Sequence, residues 1–240
     1  MPASQPPPGV ATVAPPRPGA TRVVLIRHGE ATCNVAGLVG GRAGCSGLTG
    51  TGRRQAQALR TRLLGSGELA DVAALYTSVL PRALETAEIV FAGTGLEHGA
   101  VADCALCELH PGEADGLTWE EFRARYGEPD FDADPDQEVA PGGESWRSFV
   151  ARASGALARV AEAHPSARVA VVCHGGVIEA SLTAFLPVAP GRPRLGLLTE
   201  HTSLTEWERS GDRWRLLRYN DAAHLRGAQV PAGPGTAQQA

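Results

Sequence analysis

The sequence contains no lysine, because all 22 of its basic residues are arginine. This absence excludes several kinds of protein that depend on an amine side chain. A Walker A loop needs a lysine that reaches the bound phosphates. Schiff-base catalysis needs a lysine nitrogen, and the protein-kinase mechanism needs a lysine on one of its strands. Enzymes that use these three kinds of site are therefore excluded.

Long hydrophobic runs and an excess of basic charge are also missing. No stretch approaches the ~18 uninterrupted apolar residues that a membrane-spanning helix needs. The formal net charge of −4 gives no basic excess of the kind that binds nucleic acid. Residues 1–20 lack the basic start and the apolar core of a secretory signal. We therefore expect a cytoplasmic protein that has neither a membrane nor a nucleic-acid partner.

Cysteine is scarce, with five residues in a chain of 240. An odd number in a chain of this length favours free thiols in a reducing compartment over a disulfide framework. Cys104 and Cys107 form one C-x-x-C pair, but the sequence lacks the second pair that completes a common kind of zinc site. The aspartates within residues 130–136 lack the glycine and glutamate of a calcium loop. We predict neither a bound metal nor a cofactor.

The two ends of the chain differ in composition from the rest. Residues 1–20 contain seven prolines and one charged residue, and residues 226–240 are rich in Gly, Pro, Gln and Ala. Segments of this kind bury too little apolar surface to fold. We predict disordered tails at 1–20 and 226–240 and one folded domain over residues 21–225, which is long enough to bury its own core.

Inside that domain, apolar strands alternate with helical patterns. The pattern predicts strands at 22–26, 73–76 and 169–173, and helices at 51–64, 144–163 and 177–186. Ser78 is predicted to cap another helix, whose first turn contains Pro81. Alternation around Ser210-Gly211-Asp212 predicts an antiparallel C-terminal hairpin. The order favours an α/β fold, a three-layer α/β/α sandwich around a mostly parallel central sheet.

Two of the predicted strands are followed by His and Gly. Arg27-His28-Gly29-Glu30 follows the first strand, and His174-Gly175-Gly176 follows the strand at 169–173. Ligands of such sheets bind beyond the carboxyl ends of the strands, and the N-terminus of a following helix favours anions. Arg82 begins a helix after another strand and adds a forked guanidinium that suits phosphate oxygens. These residues predict a phosphate site, whereas His98, His164 and His201 are interpreted as packed or surface residues.

The segments that form this predicted site resemble motifs of a known family. Arg27-His28-Gly29-Glu30, with Asn34 four residues later, is similar to the first motif of the histidine phosphatase superfamily, also called phosphoglycerate mutase-like. Residues 78–87 resemble the second motif, in which Arg82 takes the place of the second phosphate-binding arginine. Two departures are Ala31, where Ser or Thr is usual, and a glutamate at position 85, where many members have Gln.

The remaining motifs follow in the order of the family. Leu106-Cys107-Glu108 resembles the segment that carries the acid, and His174-Gly175-Gly176 resembles the segment that carries the second histidine. Asn220-Asp221 and His224-Leu225 match a common ending. Together the motifs span residues 23–225, which is nearly the whole of the predicted domain.

The resemblance implies a covalent mechanism that needs no metal. His28 would attack phosphorus and form a phosphohistidine, which divides one difficult step into two easier ones. Glu108 would protonate the leaving oxygen and then activate water, and Glu113 and Asp115 are alternative candidates for this acid. The groups that would hold the phosphoryl oxygens are Arg27, Arg82 and His174.

The resemblance also implies residues that contact the substrate and a segment that influences substrate choice. Asn34 and Gly175 would contact the substrate. A small cap insertion, at about residues 109–143, would overhang the site, and its aromatic residues either anchor the cap or face the substrate. The expected activity is hydrolysis of a small-molecule phosphate ester. A cofactor-dependent phosphoglycerate mutase and a non-catalytic phospho-ligand-binding protein are the alternatives, and the final hairpin could support a homodimer.

Overall fold

The computed structural model describes residues 17–186 and 197–226. Residues 1–16 and 227–240 therefore lie outside the described residues, and the predicted disorder of the two tails stays a prediction. Residues 17–20 form a turn in which the Ala20 N–H donates to the Arg17 carbonyl at 3.1 Å. Ala20 is buried, so the described chain enters the fold directly before its first strand.

A mixed sheet forms the centre of the described part of the chain. Its strands are β1 (Thr21–Arg27), β2 (Val72–Thr77), β3 (Val101–Ala102), β4 (Arg168–Cys173), β5 (Leu204–Ser210) and β6 (Arg213–Asp221). They lie in the order β3-β2-β4-β1-β5-β6. The first four strands are parallel, and β5 and β6 form an antiparallel hairpin beside β1. The predicted mostly parallel sheet and C-terminal hairpin are confirmed.

The helices of the described ranges connect these strands. They are α1 (Thr32–Ala36), α2 (Gly50–Ser66), α3 (Pro81–Phe91), α4 (Trp119–Tyr126), α5 (Trp146–Ala163) and α6 (Gly175–Phe185). The prediction that Ser78 caps α3 is wrong. Leu80 is the N-cap residue and Pro81 begins the helix, while Ser78 Oγ accepts from the Leu80 N–H at 3.2 Å. Proline fits the first turn because its missing N–H would have no partner there.

Helices cover both faces of the sheet. Side chains alternate along β1, so that Val23 and Leu25 pack in one core with α5 and α6. Val24 and Ile26 pack in the opposite core with α2 and α3. Every residue of β1 is consequently buried, which explains the uninterrupted apolar run from Val23 to Ile26. The three-layer α/β/α architecture is confirmed.

The aromatic residues of the cap segment pack mostly against one another. Phe122 is buried in a small cluster and contacts Trp119 and Tyr126, with ring centroids 5.6 and 6.1 Å away. Phe131 stacks on Trp146 at the start of α5. These contacts favour the interpretation that the aromatics anchor the cap.

Two further predictions concern the surface of the domain. None of the helices in the described ranges is both long and apolar enough to cross a lipid bilayer. Strand β6 of the C-terminal hairpin lies at one edge of the sheet. An edge strand offers unpaired backbone groups to a second chain, and the homodimer stays a prediction.

Candidate active site

The pairing of β1 with β4 brings the two strand-terminal histidines together. Arg27 lies opposite Cys173 in this parallel pair, so His28 and His174 both leave the sheet at its carboxyl edge. The His28 N–H donates to the Cys173 carbonyl at 3.0 Å. The two rings are buried, with centroids 5.1 Å apart. The predicted convergence of the histidines on one edge is confirmed.

Hydrogen bonds assign the protonation state of the His28 ring. Nδ1 lies 2.7 Å from the Gly29 carbonyl oxygen, which can only accept, so Nδ1 carries the hydrogen. Arg82 Nε, which can only donate, lies 3.1 Å from Nε2 of the ring. Burial, and then the neighbouring charge of Arg82, hold the pKa of His28 well below its ordinary value. The ring is therefore neutral at pH 7, and its Nε2 lone pair faces the interior of the site.

Arg82 is a buried cation on the first turn of α3. Its side chain donates to His28 Nε2 and, at 2.8 Å, to the Gly40 carbonyl. Within the described part of the chain, no ion pair joins Arg82 to a carboxylate. Burial of a charge without an opposite charge is unfavourable. The position of Arg82 therefore suits an anionic ligand beside the His28 ring.

Arg27 is the second buried cation at this edge. It ends β1, and its guanidinium donates to the Thr199 carbonyl. Burial lowers the pKa of Arg27 to about 10, while the nearby charge of Glu108 opposes this shift. Arg27 therefore remains charged at neutral pH, and the site combines two cations with a neutral histidine.

His174 has ring nitrogens that no described group satisfies. Both Nδ1 and Nε2 are buried without a hydrogen-bond partner. Burial holds the pKa of His174 well below its ordinary value, so the ring is neutral and keeps one N–H to donate. An unpaired buried donor costs about 1–3 kcal/mol. His174 is thus suited to donate to a ligand at the carboxyl edge.

Glu108 reaches the same edge from the loop before the cap. One carboxylate oxygen accepts from the Gly176 N–H at 3.0 Å and the other from the Leu109 N–H at 3.1 Å. The first contact places the carboxylate at the N-terminus of α6, where negative charge is favoured. A Cβ atom on Gly176 would lie 2.1 Å from Glu108 Oε1, so glycine is needed for this approach.

The two alternative acids bind elsewhere. Glu113 Oε2 accepts from the Tyr126 hydroxyl at 3.3 Å inside the cap. Asp115 accepts from the Ala43 and Gly44 N–H groups at 2.8 and 2.9 Å, and so holds the loop before α2. The described contacts therefore place Glu108 at the carboxyl edge. Those of Glu113 and Asp115 hold the cap and the loop before α2.

The two predicted substrate contacts occupy helix starts. Asn34 Oδ1 accepts from the Ala31 N–H at 3.0 Å, which closes the first turn of α1. This bond leaves the amide NH₂ of Asn34 for other contacts. Gly175 is the first residue of α6, where helical N–H groups lack an internal partner. Binding of substrate by these two residues stays a prediction.

The two departures from the family motif have clear structural settings. Ala31 is fully buried and presents no hydroxyl. Glu85 accepts from the Leu48 N–H at 2.8 Å and pairs with Arg53 at 2.5 Å. Glu85 therefore ties α3 to α2 and to the loop before it, and neither position removes a group from the carboxyl edge.

His201 is a neighbour of the site that the sequence analysis missed. Its Nδ1–H donates to the His28 carbonyl at 3.1 Å, and its ring lies 5.5 Å from the His28 ring. The loop that carries His201 is fixed by Asn220, whose Oδ1 accepts from the Glu200 N–H at 2.7 Å. His201 does not stand in a strand-His-Gly pattern. The one sequence feature connected with it is the family-like ending at Asn220-Asp221, which holds its loop.

Replacement of His201 by glutamine is expected to reduce the acid sensitivity of folding. Burial lowers the pKa of His201 from 6.5 to about 3, so between these pH values the unfolded chain binds one more proton than the folded chain. The free energy of unfolding then falls on acidification by ~1.4 kcal/mol per pH unit for this group. Urea unfolding from pH 6 to pH 4 should show a slope smaller by about that amount in the variant.

The control for this measurement is His98→Gln. The His98 side chain is 85% exposed, so its replacement should leave the slope unchanged. Equal slopes in the native protein and in His201→Gln would contradict the assignment of a neutral buried His201.

Comparisons with known proteins agree with the architecture and the motifs. Residues 23–222 match the histidine phosphatase superfamily (branch 1). A metal-independent phosphoserine phosphatase from Arabidopsis thaliana is 33% identical over 210 residues, or 85% of this chain and 83% of that protein. The uncharacterized phosphatase PhoE from Bacillus subtilis (strain 168) is 32% identical over 213 residues, or 86% and 98%. The structure of Bacillus stearothermophilus YhfR is 32% identical, has a TM-score of 0.74, and covers 85% of this chain and 99% of that one.

These matches extend over nearly all of the described domain. They confirm the predicted fold, and the phosphatases among the relatives support the predicted class of phosphoric monoester hydrolase. The region matched by the family includes Arg27, His28, Arg82, Glu108 and His174. The chain belongs to the histidine phosphatase superfamily.

Proposed function

We propose that this protein hydrolyses a small-molecule phosphate monoester, without a metal, through a phosphohistidine on His28. The observation that carries the proposal is the state of the His28 ring. Nδ1–H is held by the Gly29 carbonyl, and the neutral Nε2 faces the buried Arg82 guanidinium at 3.1 Å. An unprotonated nucleophilic nitrogen therefore lies next to a cation that no described carboxylate neutralises.

In the first step, His28 Nε2 attacks phosphorus and the bond to the leaving oxygen breaks. Nε2 must exchange its contact with Arg82 for the phosphorus atom, so Arg82 moves its donors onto a phosphoryl oxygen. Arg27 and His174 supply further donors at the same edge of the sheet. Donors that are already positioned around the developing charge stabilise the transition state.

Glu108 is the acid for this step and the base for the next. In its protonated form it would give a proton to the leaving oxygen of the alcohol product. As a carboxylate it would then take a proton from water, which attacks phosphorus and releases phosphate from His28. Its anchor on the Gly176 N–H fixes its place at the N-terminus of α6. Proton transfer of this kind contributes about 10²–10⁴-fold to a rate.

The Glu108→Gln variant is expected to discriminate between substrates by their leaving groups. An alkyl phosphate needs a proton on its leaving oxygen, so its hydrolysis should fall by about 10²-fold or more. Formation of the phosphohistidine from p-nitrophenyl phosphate should fall far less, because nitrophenolate leaves without a proton. Single-turnover release of nitrophenolate, compared with that of an alkyl alcohol, measures both. Glu113→Gln is the control, and equal losses for both esters would contradict the acid role of Glu108.

The substrate class is supported by the site and by one relative. Two buried cations and a neutral histidine donor suit the dianion of a phosphate monoester. L-Phosphoserine is the first compound to test, because the Arabidopsis relative is named as a phosphoserine phosphatase. Phosphate release from it in water, without bisphosphoglycerate, would support hydrolysis. Transfer that requires bisphosphoglycerate would support a mutase, and binding without turnover would support a phospho-ligand-binding protein.

Independence from metal is tested by adding excess EDTA to the same assay. The expected result is unchanged turnover, because the proposed chemistry uses only side chains. The assay includes the Cys104→Ser variant, which lacks one thiol of the segment that carries Glu108. Loss of turnover with EDTA in both proteins would contradict the proposed mechanism.

A further inference from the structure

A second group of reactive side chains lies in the loop that carries Glu108. Cys104, Cys107 and His110 each offer one ligand atom, and these atoms all lie within 4.8 Å of one another. The two Sγ atoms are 3.4 Å apart, and Cys104 Sγ is 3.6 Å from His110 Nε2. The sequence lacks a second cysteine pair, but the fold supplies an imidazole as a third ligand.

We propose that Cys104, Cys107 and His110 bind one Zn²⁺ ion, with solvent as the fourth ligand. Zinc bonds of about 2.3 Å to sulfur and 2.0 Å to nitrogen place two tetrahedral sulfur ligands about 3.8 Å apart. The same bonds place sulfur and nitrogen about 3.5 Å apart. The observed separations are within a few tenths of an ångström of these values. The two thiols would release their protons on binding.

The orientation of His110 agrees with a ligand role. Nε2 faces the cysteine sulfur, while Nδ1 lies 3.6 Å from a carboxylate oxygen of Glu144. Glu144 also accepts from the His110 backbone N–H at 2.9 Å and pairs with Arg152 at 2.6 Å. Histidines that bind metals commonly direct their other nitrogen to a carboxylate, which fixes the ring and its tautomer.

The backbone between the ligands is held in place by Arg152. Its guanidinium lies within 3.3 Å of the backbone carbonyls of Cys104, Ala105, Cys107 and Glu108. One side chain therefore fixes both cysteines and the residue that follows them. A site held in this way loses little conformational entropy on binding.

The exposed Arg42 side chain is the group that opposes the ion. Its Nη2 donates to Cys104 Sγ at 3.5 Å. Arg42 must move aside when a cation binds, since like charges at short range repel. The Arg42→Ala variant should therefore bind Zn²⁺ severalfold more tightly than the native protein.

The test uses the full chain, reduced with a phosphine and freed of metal by a chelator. Co²⁺ is added as a spectroscopic probe, and Zn²⁺ affinity is measured by competition with a chromophoric chelator. The proposal predicts one Co²⁺ per chain, with near-ultraviolet thiolate charge-transfer bands and the intense visible bands of tetrahedral cobalt. Saturating Zn²⁺ should remove these bands and raise the Tm, because it binds the folded state more tightly than the unfolded chain.

Variants decide which residues bind the ion. Cys104→Ser and His110→Gln should each lose the tetrahedral cobalt spectrum and the rise in Tm. Cys45→Ser, which removes a buried thiol from a different cluster, should keep both. A tetrahedral spectrum that persists in Cys104→Ser and in His110→Gln would overturn the proposal. The absence of stoichiometric binding to the reduced native protein would also overturn it. None of these measurements depends on the proposed enzymatic activity.

Discussion

Replacement of His28 by alanine is expected to lower kcat/KM for a phosphate monoester by at least about 10⁴-fold. Alanine removes the nitrogen that would form the bond to phosphorus, and no other described ring has its lone pair held against Arg82. The variant keeps the backbone N–H that pairs with the Cys173 carbonyl, so β1 should remain in the sheet. Steady-state hydrolysis of p-nitrophenyl phosphate, with enzyme concentration raised for the variant, measures the effect.

Two controls make this result specific to the nucleophile. His98→Ala removes a histidine with an 85% exposed side chain and should retain native turnover. Thermal unfolding of His28→Ala shows whether the loss of its bond to Arg82 has unfolded the domain. A folded His28→Ala protein with activity within about tenfold of the native value would contradict the assignment of His28.

Replacement of Gly176 by alanine is expected to lower kcat for an alkyl phosphate by about 10²-fold. The new Cβ would lie 2.1 Å from Glu108 Oε1, so the carboxylate must leave the N-terminus of α6. The atom displaced is the end of a flexible side chain, and the fold should therefore persist. Rates measured with phosphoserine or a simple alkyl phosphate test this expectation, because the leaving oxygen of both esters needs a proton.

The matched control for this change is Gly155→Ala in α5. Its Cβ would meet only the end of the Arg159 side chain, at 3.5 Å, and alanine is favoured over glycine inside a helix. This variant should keep native turnover and unfold at the same or a higher temperature. Native turnover in Gly176→Ala would show that the position of Glu108 at α6 is unimportant for the reaction.

The strands and the order of layers could be predicted because local pattern and burial agree. β1 is buried on both faces, so its sequence contains an uninterrupted apolar run from Val23 to Ile26. Residues 169–173 show the same pattern, and the structure pairs the two strands in parallel. Short elements without such periodicity, such as α1 and β3, gave no comparable signal. The capping of α3 was predicted wrongly. Ser78 lies two residues before the N-cap residue Leu80, and its hydroxyl accepts from the Leu80 N–H instead of from an N–H of the helix.

The convergence of His28 and His174 was predictable because each directly follows a strand of the same sheet. Arg82 was predictable because it begins the helix that follows another strand, whereas Glu108 could be placed only through the resemblance to a family, since a loop separates it from its strand. His201 could not be found from local pattern, because its approach to His28 depends on contacts with the distant Asn220. The proximity of His110 to Cys104 depends in the same way on Arg152 and Glu144, which lie in a later part of the chain.

The most direct test of the central claim is to trap the phosphoenzyme. The native protein and the Glu108→Gln variant are mixed with a phosphorus-32-labelled aryl phosphate, quenched in alkali within milliseconds, and mapped by peptide mass spectrometry. The account predicts an alkali-stable, acid-labile label on His28, with more of it in Glu108→Gln, in which water attack is slowed, and none in His28→Ala. A label on any other residue, or turnover in both proteins without a label, would contradict the account.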